Sequence, residues 1–167
     1  MNSTIIHLAG KKKMRSRTMK AGMTREEKNW VLYDVGNSAF VLLVSTIMPI
    51  YFNYLAENAG ISSVNYLAYW GYAASAATVI VALLGPVFGT LADTKGLKKP
   101  IFTATMLIGG VGCLALGLAG QWLIFLLIYI IAKTGFSGSL IFYDSMLGDI
   151  TTEERMDNVS SQGYAWG

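Results

Sequence analysis

Apolar positions along this chain fall in blocks too long for the core helices of a water-soluble domain and too nearly free of charge for surface helices. A helix rises 1.5 Å per residue, so about 20 apolar residues cross the hydrocarbon of a bilayer. Residues 35–56 carry no charge and predict a first span. Beyond Glu57 no charge occurs until Asp93; the polar stretch 58–65 predicts a loop and residues 69–91 a second span. Residues 100–143 form a run of 44 positions with a single charge, Lys133, which is room for two spans. Gly117, Gly120 and Gln121 mark a turn between them, giving spans over 101–119 and 122–142. Near the end a polar segment, 158–162, gives way to Gly163-Tyr164-Ala165-Trp166-Gly167, which predicts a fifth helix beginning near residue 163. The expected fold is an all-α membrane protein with four transmembrane helices plus the start of a fifth. Its expected divisions are a basic tail over residues 1–28 and a partial transmembrane domain over residues 29–167. A terminus at Gly167 would be arbitrary, so the sequence is expected to be the N-terminal fragment of a longer protein. The alternative is a complete small four-span protein, acting as a homo-oligomeric transporter or a non-transporting scaffold.

Composition agrees with the pattern: 53% of the 167 residues are hydrophobic and 14% charged, against about a quarter charged in soluble domains. The expected surroundings are the lipid bilayer. Lys and Arg outnumber Asp and Glu by 13 to 10, and the excess precedes the first block. Lys11, Lys12, Lys13, Arg15, Arg17 and Lys20 come without an acid among residues 1–22. Beside a membrane span such a run serves as a topology signal rather than a nucleic-acid site. It is not a signal peptide, because its short apolar part precedes the charges. Met14, Met19 and Met23 are further possible starts. With Arg25 and Lys28 the tail holds eight basic residues, the next loop none, the loop after it Lys95, Lys98 and Lys99, and the following turn none. Basic residues in short loops favour the cytoplasm, so both ends are expected inside a multi-pass protein of the cell membrane, or of the vacuolar membrane in a eukaryote. Trp30, Tyr33, Tyr51, Tyr54, Tyr69, Trp70, Trp122 and Tyr143 fall near predicted span ends, where aromatic belts form. The single cysteine, Cys113, and the single histidine, His7, leave no metal-ligating cluster and imply no cofactor.

Three groups of residues suggest chemistry. On the first span Asp34, Asn37, Ser38, Ser45, Pro49 and Asn53 fall within about half of the helix circumference, a face suited to a bundle interior or an aqueous cavity. Helix–helix hydrogen bonding would account for its Ser and Asn as well as substrate contact does. Asp34, at the entry to the block, serves either a pathway or a helix N-terminus. Lys133 lies 11 residues into the fourth span, about 16 Å along the axis and near mid-membrane. An ammonium at that depth costs about 2.5–3.5 kcal/mol on insertion scales. No acid on these spans matches its depth, so its partner is expected on a helix missing from this sequence. Gly85, Gly89, Gly109, Gly110 and Gly112 offer small faces for close helix packing.

The sharpest motif is Gly89-Thr-Leu-Ala-Asp93-Thr-Lys-Gly96-Leu-Lys98-Lys99-Pro100, joining spans two and three. It resembles the loop of the major facilitator superfamily written G-x-L-A-D-R-x-G-R-K-x, with Thr94 and Leu97 in place of two usual basic residues. The resemblance implies a six-plus-six helix bundle, of which this sequence holds the front part. It also implies that Gly89, Asp93, Gly96, Lys98 and Lys99 gate alternating access against a C-terminal half absent here. Three further stretches are similar to the branch containing the fungal vacuolar amino-acid effluxer and its bacterial relatives. They are Tyr33-Asp34-Val-Gly-Asn37-Ser38-Ala39, Phe142-Tyr143-Asp144-Ser-Met-Leu, and Arg155 through Val159-Ser160-Ser161-Gln-Gly163-Tyr-Ala. That branch implies a small-molecule substrate, an amino acid, with Asp34, Asn37, Lys133 and Asp144 as candidates for a substrate or proton pathway. A transporter leaves its substrate covalently unchanged, and no G-x-x-x-x-G-K-[ST] loop occurs, so no enzyme is expected.

Overall fold

The computed structural model describes residues 22–94 and 96–166. The basic tail of Lys11, Lys12, Lys13, Arg15, Arg17 and Lys20, with His7, lies outside the described residues, as do Lys95 and Gly167. Every regular element among the described residues is helical: α1 (Arg25–Leu42), a π-helical segment (Leu43–Ile47), α2 (Met48–Asn58), α3 (Ser63–Asp93), α4 (Lys98–Leu116), α5 (Trp122–Ile150) and α6 (Glu153–Trp166). The first three run on as one helix, Arg25–Asn58, and with α3, α4 and α5 they make four helices long and apolar enough to cross a membrane. The protein is an all-α membrane protein.

The chain signals its own helix ends. Thr24 and Glu27 form a capping box: the Thr24 amide donates to Glu27 Oε2 at 2.8 Å and the Glu27 amide to Thr24 Oγ1 at 3.2 Å. At the far end of α2, Gly60 adopts φ +75°. Its amide donates to Glu57 O at 2.9 Å and the Ile61 amide to Ala56 O at 3.0 Å, the paired bonds of a Schellman closure. In the π segment the Met48 amide reaches back five residues to Leu43 O, one residue further than in an α-helix. Ser45 Oγ donates to Val41 O at 2.8 Å, and Thr46 Oγ1 donates to Leu42 O. Both hydroxyls thus bond carbonyls of the turn that leads into the π segment.

The chain divides into two compact units, one taking the chain up to Phe40 and again from Leu147, the other Val41–Met146. In the larger unit, Met48, Phe52, Leu55, Ala73, Leu116, Phe125, Tyr129 and Ala132 belong to one buried cluster. Its aromatic centre pairs Phe52 with Phe125 at 5.9 Å, Phe52 with Trp70 at 5.7 Å and Trp70 with Tyr129 at 4.5 Å between ring centroids. Lipid tails are as apolar as these side chains, so close packing rather than escape from water holds spans together. α4 and α5 meet through their smallest residues. A β-carbon on Gly112 would lie 2.7 Å from Ala132 Cβ, and one on Gly109 would lie 3.0 Å from the Phe136 amide nitrogen. Gly138 takes the edge of the Phe88 ring in the same way.

In the smaller unit α6 lies against α1. Gly163 admits the Trp30 ring, which would stand 2.9 Å from a β-carbon there, and Val159 is 1% exposed.

Several sequence expectations change at their edges. The third helix ends at Leu116 rather than at residue 119, because Gly117 turns its amide onto Leu114 and Ala115 carbonyls. The fifth helix starts at Glu153, ten residues before the expected 163. The polar residues that suggest a loop suit a helix here: Glu153 and Glu154 complement the dipole in the first turn, and Val159 and Gly163 make a buried face. Of the glycines expected to pack closely, Gly109 and Gly112 do so, whereas Gly85, Gly89 and Gly110 have no atom within 4 Å of a β-carbon position.

Candidate functional site

The loop between α3 and α4 is built around one backbone requirement. Asp93 is the last residue of α3 and is exposed, and Gly96 takes φ +86°, a conformation other residues resist. Two residues later Lys98 opens α4 and donates from Nζ to the Ser145 carbonyl at 3.2 Å. That carbonyl lies five residues before the C-terminal end of α5. Lys99 is exposed, and Gly89 faces open space. Of the five residues of this motif, Lys98 is thus the one whose side chain ties the loop to α5.

Asp34 does not stand at a helix N-terminus, since α1 begins nine residues earlier at Arg25 and the dipole acts within the first turn. Instead it is 9% exposed, with Oδ2 3.3 Å from where a β-carbon on Gly163 would be. Asn37 follows at i+3 on the same helix face. Its Oδ1 is buried and has no hydrogen-bond partner among the described residues, and the same holds for Asn53 Oδ1. These amide oxygens supply acceptors that the described chain does not satisfy.

On α5, Lys133 is half-buried; before it in sequence Ala132 is fully buried against α4, and after it Thr134 has a buried Oγ1 with no hydrogen-bond partner among the described residues. No ion pair to Lys133 exists among the described residues. Asp144 is exposed and lies 11 residues along the helix, about 16 Å away, so the two do not meet.

The strongest polar assembly was not singled out by the sequence reading. Glu27 is 1% exposed. Besides its cap to Thr24, its Oε1 accepts from Thr151 Oγ1 at 2.8 Å and its Oε2 from Arg155 Nη2 at 2.8 Å. Arg155 thereby fixes α6 to the start of α1 by a buried ion pair. A carboxylate with this many donors is a satisfied buried charge and not a vacant site.

Residues 23–164 match the family described as vacuole effluxer Atg22 like. The chain belongs to this family. The chain is also 40% identical over 152 residues to an uncharacterized MFS-type transporter, YxiO, of Bacillus subtilis (strain 168). That match covers 89% of this chain and 36% of the relative, so the chain spans about a third of the length of the curated relative it matches. No solved structure matches the chain. The Atg22-like stretch contains every residue of the Glu27 assembly and every candidate pathway residue. The signal that could have found Glu27 is the Thr24-x-x-Glu27 spacing just before an apolar run, which marks a capping box.

Proposed function

We propose that this chain serves a secondary active transporter that exports a small solute of the amino-acid class by alternating access. The observation that carries this reading is the Atg22-like match over residues 23–164 in a chain with four membrane-length apolar helices. The residues before α1 and the loop holding Lys98 and Lys99 face the cytoplasm, since basic residues in short loops are retained there. In the cycle Gly89, Asp93, Gly96, Lys98 and Lys99 form the gate. Lys98 holds the loop to α5 through Ser145, while exposed Asp93 and Lys99 are free to engage a further part of the transporter. Asp34, Asn37, Lys133 and Asp144 contribute polar positions to the substrate and proton path.

The test is counterflow of radiolabelled amino acids into proteoliposomes holding the protein as its gene encodes it. Saturable exchange that a protonophore alters is expected. Monodisperse, inserted protein that exchanges no amino acid above empty liposomes would overturn the proposal.

A further inference from the structure

Lys133 presents a charge without a counter-charge among the described residues, and its position on α5 decides which way it points. Leu123, Ile124, Leu127 and Ile131 are exposed and mark the outer face of the first ten residues of the helix, up to the level of Lys133. Two residues on from Ile131 is about 200° round, so Lys133 emerges on the opposite flank. There it lies four residues from Tyr129, 2% exposed, and four from Ser137, on one face of the helix. Trp122 begins α5 and Asp144 is the next charge after Lys133. Each is 11 residues away, about 16 Å by the helical rise, so neither water boundary is within easy reach of a lysine side chain.

The opposing helix is unusual at the same level. Phe52 of α2 and Phe125 of α5 stack at 5.9 Å, and the two helices run antiparallel, as the successive turns between spans require. Eight residues along α5 from Phe125 is Lys133; eight residues back from Phe52 is Val44, in the π segment. Leu43 and Val44 pack against the cluster that includes Tyr129 and Ala132. The ammonium is therefore level with the one widened turn of the first helix. An isolated charge in a low-dielectric region persists only with a partner or a path to water.

We infer that Lys133, with the hydroxyl of Ser137 one turn along on the same face, is an anion subsite that takes a monocarboxylate. One ammonium matches one negative charge. A dianion such as sulfate would leave an uncompensated charge at mid-membrane, because no second cation lies on α5 between Trp122 and Ile150. The inference deepens the transport reading and rests on it for the role of the carboxylate as part of the cargo.

The experiment uses the full chain in lipid nanodiscs with nitrogen-15-labelled lysine and follows the Lys133 Nζ resonance, assigned with Lys133→Gln. Sodium acetate and alanine are expected to shift that resonance saturably. Methylammonium chloride at matched ionic strength is expected to leave it in place. Ser137→Ala is expected to weaken acetate about tenfold, the loss of one hydrogen bond to a charged group. No acetate response, or an equal response to chloride, sulfate and acetate, overturns the inference. The titration is made on the wild-type chain, so it stands even if a variant fails to fold. An acetate response without amino-acid counterflow would refute the transport reading alone; counterflow with a silent Lys133 would refute the subsite alone.

Discussion

The two units of this chain are held by opposite kinds of contact. Where α6 lies on the start of α1, the fixed points are a buried carboxylate, an arginine and two threonines, with Glu27 1% exposed. In the unit from Val41 to Met146 the main contacts are ring on ring and glycine on alanine, and no charged residue is fully buried there among the described residues. The difference follows from the solvent each sequence is built for. Residues 153–162 are too polar for hydrocarbon and need specific hydrogen bonds to order them, whereas apolar spans in lipid have only shape to tell one neighbour from another. A polar latch depends on a few atoms; a packed interface is spread over many. Substitutions should therefore act abruptly in the first unit and gradually in the second.

The largest effect is expected at Glu27. Glu27→Ala leaves the Arg155 guanidinium, with a side chain 16% exposed, without its carboxylate. Removing one partner of a buried pair costs about 3 kcal/mol or more. Amide exchange across Glu153–Trp166 should then quicken by roughly a hundredfold in hydrogen-exchange mass spectrometry, while α3 to α5 keep their protection. The double variant Glu27→Gln with Arg155→Gln should cost less than the sum of the singles. If exchange in α6 changes by less than about threefold, the latch does not hold that helix.

Next in size is the glycine seam. Gly112→Val would drive a β-carbon to 2.7 Å from Ala132 Cβ, and overpacking of this kind costs about 1–3 kcal/mol. Gly110→Val, two residues away with no atom within 4 Å, is expected to stay within about 0.5 kcal/mol of the parent. Both are read from the midpoint of helix loss on titrating detergent-solubilised protein with SDS. Equal midpoints for the two variants would mean that α4 and α5 do not meet through Gly112.

This pair also shows how far the sequence carries. Four blocks of apolar residues, cut by Glu57, by the loop after Asp93 and by Gly117 to Gln121, are enough to find four membrane-length helices. Which glycines matter is not written there, since Gly110 and Gly112 have the same local context and differ only in which side of α4 meets α5. The π segment was equally hidden: Ser45 looks like part of a polar face until the Val41 carbonyl that its hydroxyl bonds is seen. Among the candidate site residues, Lys133 stands out in sequence because a charge interrupts an apolar run. Glu27 does not, because it sits in a stretch rich in charge where a buried carboxylate looks like any other.

The turn after α3 sets a smaller test, one backbone constraint placed within the apolar unit. Gly96 holds φ +86° with nothing within 4 Å of a β-carbon, so Gly96→Ala meets conformational strain and no clash. About 1–2 kcal/mol is expected from forcing a β-carbon into that region. The SDS midpoint should fall by less than for Gly112→Val. Gly96→Asn, which tolerates the left-handed conformation better, should recover part of the loss. An unchanged midpoint for Gly96→Ala would show that the turn relaxes to another conformation.

The smallest effect is expected at Thr24, and it tests whether the latch acts as a unit. Thr24→Ala removes the hydroxyl that accepts from the Glu27 amide at 3.2 Å but leaves the Thr24 amide, Thr151 and Arg155 donating to the carboxylate. A lost helix cap alone is worth about 1 kcal/mol. If cap and ion pair are independent, exchange in the first turn of α1 should rise about fivefold while α6 stays protected. If the cap instead orients Glu27 for Arg155, α6 should loosen along with α1, and combining Thr24→Ala with Arg155→Gln should cost less than the two separately. The geometry favours independence, because Glu27 Oε1 and Oε2 keep their donors from Thr151 and Arg155 when the Thr24 hydroxyl is gone.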